Sequence, residues 1–145
     1  MNAAMISEEQ NHKVRDLPAD TLIDHAHNIL VRDLEGFGSR LTQGHFRATR
    51  NILSTCTKMA YGVTTGWYAI PLGTGMGKTQ SIVAWATALH QLGYDDVSMV
   101  VCASQVEALC DMKRAMITKG VPEEKIGLWH SYPFDPEKAE EYMNK

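Results

Sequence analysis

A glycine-rich segment in the middle of the chain carries the residues best suited to chemistry. It reads PLGTGMGKT from Pro71 to Thr79. Glycines let backbone N–H groups converge on phosphate oxygens without obstruction by side chains, and a helix that begins at the end of the segment adds unsatisfied donors. The ammonium group of Lys78 can reach the β- and γ-phosphates, and the Thr79 hydroxyl can bind Mg²⁺. The spacing therefore predicts a site for the phosphates of a nucleoside triphosphate.

This hypothesis assigns a role to every residue near the end of the segment. Lys78 and Thr79 are the candidate catalytic residues, and Thr79 is also the candidate Mg²⁺ ligand. The candidate nucleotide-binding residues here are Gly73, Thr74, Gly75, Met76, Gly77, Lys78, Thr79 and Gln80. A glycine-rich turn with an incidental lysine is the competing interpretation.

Two helices are predicted before this segment. The first follows Pro18 and has apolar residues at helical spacing up to its end at Gly36 and Gly38. The second begins after Thr42 and stops at Gly62. The sequence contains no internal repeat and no low-complexity linker. We expect the two helices to form an appendage before the sheet that holds the segment.

From Trp67 onward, apolar runs alternate with helical patterns. Short strands are predicted at residues 67–70, 97–103 and 126–129, and the middle run is of the continuous kind found inside parallel sheets. A buried helix is predicted from Lys78 to Leu92. A further helix opens with a capping box at Ser104 and closes at Lys119 and Gly120, and a polar helix begins at Asp135. This alternation predicts an α/β fold with a parallel sheet, preceded by two helices.

Charge and composition restrict the class of protein. The chain has 145 residues, 44% of them hydrophobic and 21% charged, with a formal net charge of −3. Such a balance predicts a globular chain with no overall electrostatic attraction to nucleic acid. No Asp or Glu occurs between Gly36 and Tyr94, which is consistent either with a buried sheet or with a site for a polyanion.

Sequence features also bear on the compartment. No apolar run is long enough to span a bilayer, and the N-terminus does not resemble a secretory signal. The three cysteines lie in apolar stretches and are interpreted as buried thiols in a reducing compartment; they are Cys56, Cys102 and Cys110. We therefore expect a cytoplasmic protein without a membrane partner.

The segment has Leu72 where the strict phosphate-loop pattern has glycine, and it ends in TGMGKT. This variant resembles motif I of superfamily 2 helicases and translocases. That group includes DEAD and type III restriction-like enzymes. Leu41-Thr42-Gln43 resembles the family's glutamine motif, which implies that Gln43 reads adenine. Residues 101–104 stand where the family has motif Ia, which implies that Ala103 and Ser104 contact a DNA or RNA backbone. The resemblance covers roughly Leu41 to Ser131. It implies an incomplete RecA-like lobe that binds ATP and Mg²⁺, with residues 1–40 as a helical appendage and 41–145 as a partial P-loop domain.

The sequence departs from the family at the hydrolytic residues. No Asp-Glu pair follows an apolar strand, since Glu140-Glu141 lies in a polar stretch, and Arg114 is the only arginine after Lys78. Phosphoryl transfer needs such metal ligands and cations, so we expect the opening portion of a helicase core. This portion is either a fragment, a truncated gene product, or a piece completed by the remainder of the core on another chain. A non-hydrolysing nucleotide-binding regulator or adaptor is the alternative, and a small P-loop kinase ranks third.

Several other residues have a structural and a functional interpretation. Gln43 can face solvent at a helix start, and Ser104 can serve simply as a helix cap. Arg47 and Arg50 share a helix face that is either a solvated basic surface or a phosphate contact. His25 and His27 point to different sides of a helix and are not a metal pair, and His130 stands alone. Trp67, Trp85 and Trp129 are expected in the core.

Overall fold

The computed structural model describes residues 17–129. This part of the chain contains four α-helices and one short 3₁₀ helix. They are α1 (Ala19–Gly36), α2 (Gln43–Ala60), α3 (Lys78–Gln91), α4 (Val106–Thr118) and the 3₁₀ helix Glu123–Lys125. The described residues fall into two compact units, one ending at Ser98 and the other beginning at Met99. The predicted domain boundary at residue 41 stays a prediction.

Helix α1 forms where the sequence places apolar residues along one face. Its buried residues are Leu22, Ile23, Ala26, Leu30 and Leu34, which recur at the three- and four-residue spacing of an amphipathic helix. The helix ends before Gly38, whose φ of 75° is in the left-handed region that glycine tolerates. The predicted first helix is confirmed.

Helix α2 begins with a reciprocal cap that the sequence reading missed. The Thr42 side chain accepts a hydrogen bond from the backbone N–H of His45, and the His45 ring accepts one from the backbone N–H of Thr42. A glutamate or glutamine usually occupies the position of His45 in a capping box. The predicted helix start after Thr42 is confirmed, with imidazole in place of a carboxylate.

Helix α3 is buried on several sides and is the centre of the first unit. It packs against both α1 and α2, and α1 also packs against α2. Its buried residues are Ser81, Val83, Ala84, Trp85, Thr87, Ala88 and Leu89. The helix ends just before Gly93, whose φ is 78°. The predicted range and multi-sided burial of this helix are confirmed.

The predicted parallel sheet is wrong for the described residues. The part of the chain that the structure describes is helical and contains no β-strand. The three runs predicted as strands are irregular: residues 67–70, 97–103 and 126–129. A parallel strand needs a neighbour that exchanges N–H···O=C bonds with it, and none of the three runs has such a neighbour. Trp67 is fully exposed and Val100 is almost fully exposed, so these runs lack the two covered faces of an interior strand.

Two side-chain predictions fail for the same reason. Trp85 is buried as expected, but Trp67 and Trp129 are almost fully exposed because the runs that carry them do not enter a sheet. Cys102 is exposed as well, whereas Cys56 and Cys110 are half-buried. Burial raises the pKa of the Cys56 thiol, so the buried-thiol interpretation suits that residue and not Cys102.

The second unit is built around α4. Its buried residues are Met112, Met116 and Val121, and Lys113 forms a 2.7 Å ion pair with Glu123 of the 3₁₀ helix. The predicted capping box at Ser104 is wrong, since the helix begins at Val106 after Gln105 and no side chain caps it. The predicted end at Lys119 and Gly120 is confirmed. His130 and the polar helix from Asp135 lie outside the described residues.

No helix within residues 17–129 combines the length and the apolar character needed to cross a lipid bilayer.

Candidate nucleotide-binding site

The glycine-rich segment is an irregular loop that leads directly into α3. Gly75 and Gly77 have φ angles of 77° and 80°, values that side-chain-bearing residues adopt at a cost of roughly 1–2 kcal/mol. Gly77 is the residue that precedes the first turn of α3, and Lys78 is the first helical residue. The helix therefore begins where the sequence predicted, although a coil and not a strand leads into the loop.

The Lys78 side chain folds back over the beginning of the loop. Its Nζ donates hydrogen bonds to the carbonyl oxygen of Leu72 and, at 3.2 Å, to the carbonyl oxygen of Gly73. These contacts close the loop into a ring that runs from Leu72 to Lys78. They also hold the ammonium group on the loop side of the helix start, which is where a phosphate group would approach.

Ser81 secures the first turn of α3. Its backbone N–H and its hydroxyl both donate to the carbonyl oxygen of Gly77, each at 2.8 Å. The turn between them contains Thr79, which is exposed, and Gln80, which is half-buried. The Thr79 hydroxyl is thus accessible to a Mg²⁺ ion that shares its other ligands with phosphate oxygens and water, as Mg²⁺ sites commonly do.

The remaining loop residues present backbone to solvent. Gly73, Thr74 and Gly75 are exposed and Met76 is half-buried. A Cβ atom added at Gly75 would meet nothing within 4 Å, and one added at Gly73 would approach only the Met76 side chain, at 3.9 Å. The loop therefore lies at the surface at these positions, with little else of the chain packed over its glycines.

Gly77, in contrast, lies against the first two helices. A Cβ atom at this position would lie 3.4 Å from Leu34 Cδ1 and 3.5 Å from Thr49 Cγ2. Leu34 is on α1 and Thr49 is on α2, and both are buried. The end of the loop is thus supported by two side chains that the sequence reading did not single out. The apolar spacing of α1 does include Leu34, but nothing in the sequence marks Thr49.

Two predicted contacts of the site remain predictions. Gln43 is exposed at the first position of α2, six residues and therefore about 9 Å along the helix from Thr49. It lies on a helix that supports the loop, and adenine recognition by it stays a hypothesis. Ala103 and Ser104 are exposed residues of the second unit, and their predicted contact with nucleic acid is likewise untested.

A small polar cluster lies beside Thr49. The Thr49 hydroxyl donates to the carbonyl oxygen of His45 at 2.8 Å and lies 3.4 Å from His27 Nε2. Burial lowers the pKa of His27, and the nearby Arg50 guanidinium lowers it further. Arg50 in turn forms a 2.6 Å ion pair with Asp24. Of the two arginines predicted on one face, Arg50 is therefore paired within the unit, and Arg47 is exposed.

The histidines of α1 bind different partners. His25 Nε2 is 2.8 Å from Gln91 Oε1 of α3, whereas His27 contacts Thr49 and meets the Phe46 ring edge-on at a centroid distance of 5.8 Å. His25 thus links α1 to α3, and His27 links α1 to α2. Within residues 17–129, no group of three or more His, Cys, Asp or Glu side chains could hold a metal ion.

No family model, curated protein or solved structure matches this chain.

Proposed function

We propose that the chain binds a nucleoside triphosphate, ATP with Mg²⁺, through residues 73–79. The observation that carries the proposal is the conformation of Gly77. Its left-handed φ of 80° places a side-chain-free residue immediately before Lys78, at the start of a 14-residue helix. A helix start approached through glycine offers backbone N–H donors and a partial positive charge to an anion.

The residues of the loop have distinct roles in this proposal. The N–H groups from Gly75 to Thr79 donate to phosphate oxygens. The Lys78 ammonium group leaves the Leu72 and Gly73 carbonyls and pairs with the β- and γ-phosphates, exchanging two neutral acceptors for charged ones. The Thr79 hydroxyl binds Mg²⁺, which neutralises the phosphate charge. Gln43 contacts the adenine.

The wider function that we propose is the ATP-binding portion of a superfamily 2 helicase or translocase in the cytoplasm, acting on DNA or RNA. The support for it is the TGMGKT ending and its resemblance to motif I. A non-hydrolysing nucleotide-binding regulator or adaptor is the second candidate. The coil before the loop and the helical first unit favour this alternative, because both differ from the sheet that a motor lobe uses.

A titration with a series of adenine nucleotides tests phosphate binding. Calorimetry with ATP, ADP and AMP, each with and without Mg²⁺, should give the strongest binding for Mg-ATP and the weakest for AMP, since AMP lacks the phosphates that Lys78 contacts. Equal affinity for all three nucleotides would contradict the assignment of the loop.

Nucleic-acid binding separates the two wider functions. Fluorescence anisotropy with a labelled single strand of DNA or RNA, with and without Mg-ATP, should show nucleotide-dependent binding for a helicase portion. A chain that binds ATP and leaves the anisotropy of both strands unchanged would be the regulator or adaptor.

A further inference from the structure

The contact of Gly77 with α1 and α2 makes the start of α3 dependent on two side chains outside the loop. A Cβ atom at Gly77 would lie at ordinary van der Waals distances of 3.4 Å from Leu34 Cδ1 and 3.5 Å from Thr49 Cγ2, so both methyl groups lie beside Gly77 on the side to which a Cβ would project. Leu34 is 7% exposed and Thr49 is 2% exposed. The side chains beside Gly77 are therefore buried and come from two different helices.

The Thr49 side chain is itself held in one orientation. Its hydroxyl donates to the carbonyl oxygens of His45 at 2.8 Å and Phe46 at 3.3 Å, one turn earlier in α2. With the hydroxyl directed back along its own helix, the Cγ2 methyl faces Gly77. His27 Nε2 approaches the same hydroxyl from α1, at 3.4 Å.

The two supporting helices are also tied to each other close to this point. The Arg50–Asp24 ion pair, at 2.6 Å, joins α2 to α1 next to Thr49 and one turn before His27. A displacement of either helix would therefore move the methyl groups of Leu34 and Thr49 relative to Gly77. Since Gly77 also supplies the carbonyl that accepts from Ser81, such a displacement would disturb the first turn of α3.

We propose that Leu34 and Thr49 are positioning residues for the phosphate loop, acting by packing their methyl groups against Gly77 and so fixing the direction of the N–H groups at the start of α3. The inference rests on the proposed function for its consequence, which is phosphate affinity. Its structural part concerns the order of the first turn of α3 and does not require a nucleotide. The methyl group of Thr49 is the part of that side chain that does the positioning, and its hydroxyl only orients the methyl.

A matched pair of substitutions separates the two groups of Thr49. Thr49→Ser keeps the hydroxyl and removes the methyl, whereas Thr49→Val keeps the methyl and removes the hydroxyl. Thr87→Ser is the control, because Thr87 is a buried residue of α3 whose hydroxyl likewise donates back along its own helix, to Val83 at 2.7 Å. It removes the same methyl group more than two turns from the loop.

The first readout is amide hydrogen exchange of the full chain, without nucleotide. In Thr49→Ser, the Ser81 N–H, which donates to the Gly77 carbonyl, should exchange about fivefold faster relative to the core amides of α3. This factor corresponds to a decrease of about 1 kcal/mol in the free energy of opening that hydrogen bond. Thr49→Val and Thr87→Ser should leave that ratio at the wild-type value. Equal effects of Thr49→Ser and Thr87→Ser, or a larger effect of Thr49→Val, would overturn the proposal.

The second readout is the affinity for Mg-ATP, measured by calorimetry on the same variants and on Lys78→Ala. Thr49→Ser should weaken binding about fivefold, with Thr49→Val close to wild type. If Lys78→Ala abolishes binding and Thr49→Ser binds as wild type does, the positioning role is wrong and the proposed function stands. If the exchange result holds while the wild-type chain binds no nucleotide, the proposed function is wrong and the packing role of Thr49 stands.

Discussion

The indole Nε1 of Trp85 donates a hydrogen bond to Thr57 Oγ1 at a distance of 3.1 Å, and both side chains are buried. The bond links α3, which carries the loop at its start, to α2. A buried indole N–H needs an acceptor, because leaving such a donor unpaired costs about 1–3 kcal/mol. Thr57 therefore fixes both the position and the orientation of the largest side chain in the core.

Replacement of Thr57 by valine should destabilise the protein by about 1–3 kcal/mol, because the Trp85 donor loses its acceptor while the volume is kept. Denaturant unfolding followed by circular dichroism measures the difference. Thr87→Val is the control, since the Thr87 hydroxyl donates only to a carbonyl of its own helix. If both variants lose the same free energy of unfolding, the Trp85–Thr57 hydrogen bond contributes no more to stability than a hydroxyl bond within one helix.

Alanine at Gly77 should cost less stability than alanine at Gly75. Both residues have a left-handed φ, 80° and 77° respectively, so both substitutions carry a backbone cost of roughly 1–2 kcal/mol. Only at Gly77 would the new Cβ touch other side chains, at ordinary van der Waals distances of 3.4 Å from Leu34 Cδ1 and 3.5 Å from Thr49 Cγ2, and this contact offsets part of the backbone cost. Thermal unfolding of the two variants gives the comparison, and an equal or larger loss of stability at Gly77 would contradict the prediction.

Stability should fall at alkaline pH through Tyr94. Burial, together with the 2.8 Å hydrogen bond to the Tyr61 hydroxyl, raises the pKa of Tyr94 above its ordinary value. The folded state therefore holds the phenol proton more tightly than the unfolded state does. The resulting stabilisation is complete below about pH 10, the pKa of an unperturbed tyrosine, and is lost as the pH rises above it.

Unfolding free energies of the wild type and Tyr94→Phe between pH 8 and roughly pH 11 check this sign. The wild type should be the more stable protein at pH 8, and the difference should shrink as the pH rises. A difference that grows with pH would mean that the folded state favours the phenolate.

The exposed aromatic run after α2 should promote self-association. Trp67 is fully exposed, and Tyr68 and Ile70 are also exposed. Three exposed apolar side chains this close together in the sequence favour contacts between molecules. Size-exclusion chromatography with light scattering should show association that increases with concentration and that Trp67→Ser reduces. Trp129→Ser, which removes another highly exposed tryptophan, in the second unit, is the control. A monomer at all concentrations would contradict the prediction.

The helices of the first unit could be predicted because their signals are local. Pro18 and Gly93 mark helix ends through their backbone preferences, and Thr42 does so through its side-chain cap. The buried residues between these ends follow the period of a helix. The start of α3 at Lys78 follows from the glycines before it in the same way. Each of these features depends on residues within one or two turns of each other.

The predicted strands failed because a strand is defined by a partner distant in the sequence. Residues 67–70 and 97–103 have the β-prone and apolar composition of buried strands, but composition does not report whether a neighbouring strand exists. The contacts of Gly77 with Leu34 and Thr49 were missed for the same reason, since they join residues 28 or more positions apart. What the sequence does report about the loop is its chemistry: glycines, one ammonium group and one hydroxyl.

The most direct test of the account is a calorimetric titration of Mg-ATP into the wild type and Lys78→Ala, with Lys58→Ala as a control that removes an exposed lysine at the far end of α2. Lys78 supplies the positive charge of the loop, so the account predicts saturable binding to the wild type and to Lys58→Ala, and a loss of at least about tenfold in affinity for Lys78→Ala. Equal affinity of all three proteins, or no binding of Mg-ATP by the wild type, would contradict it.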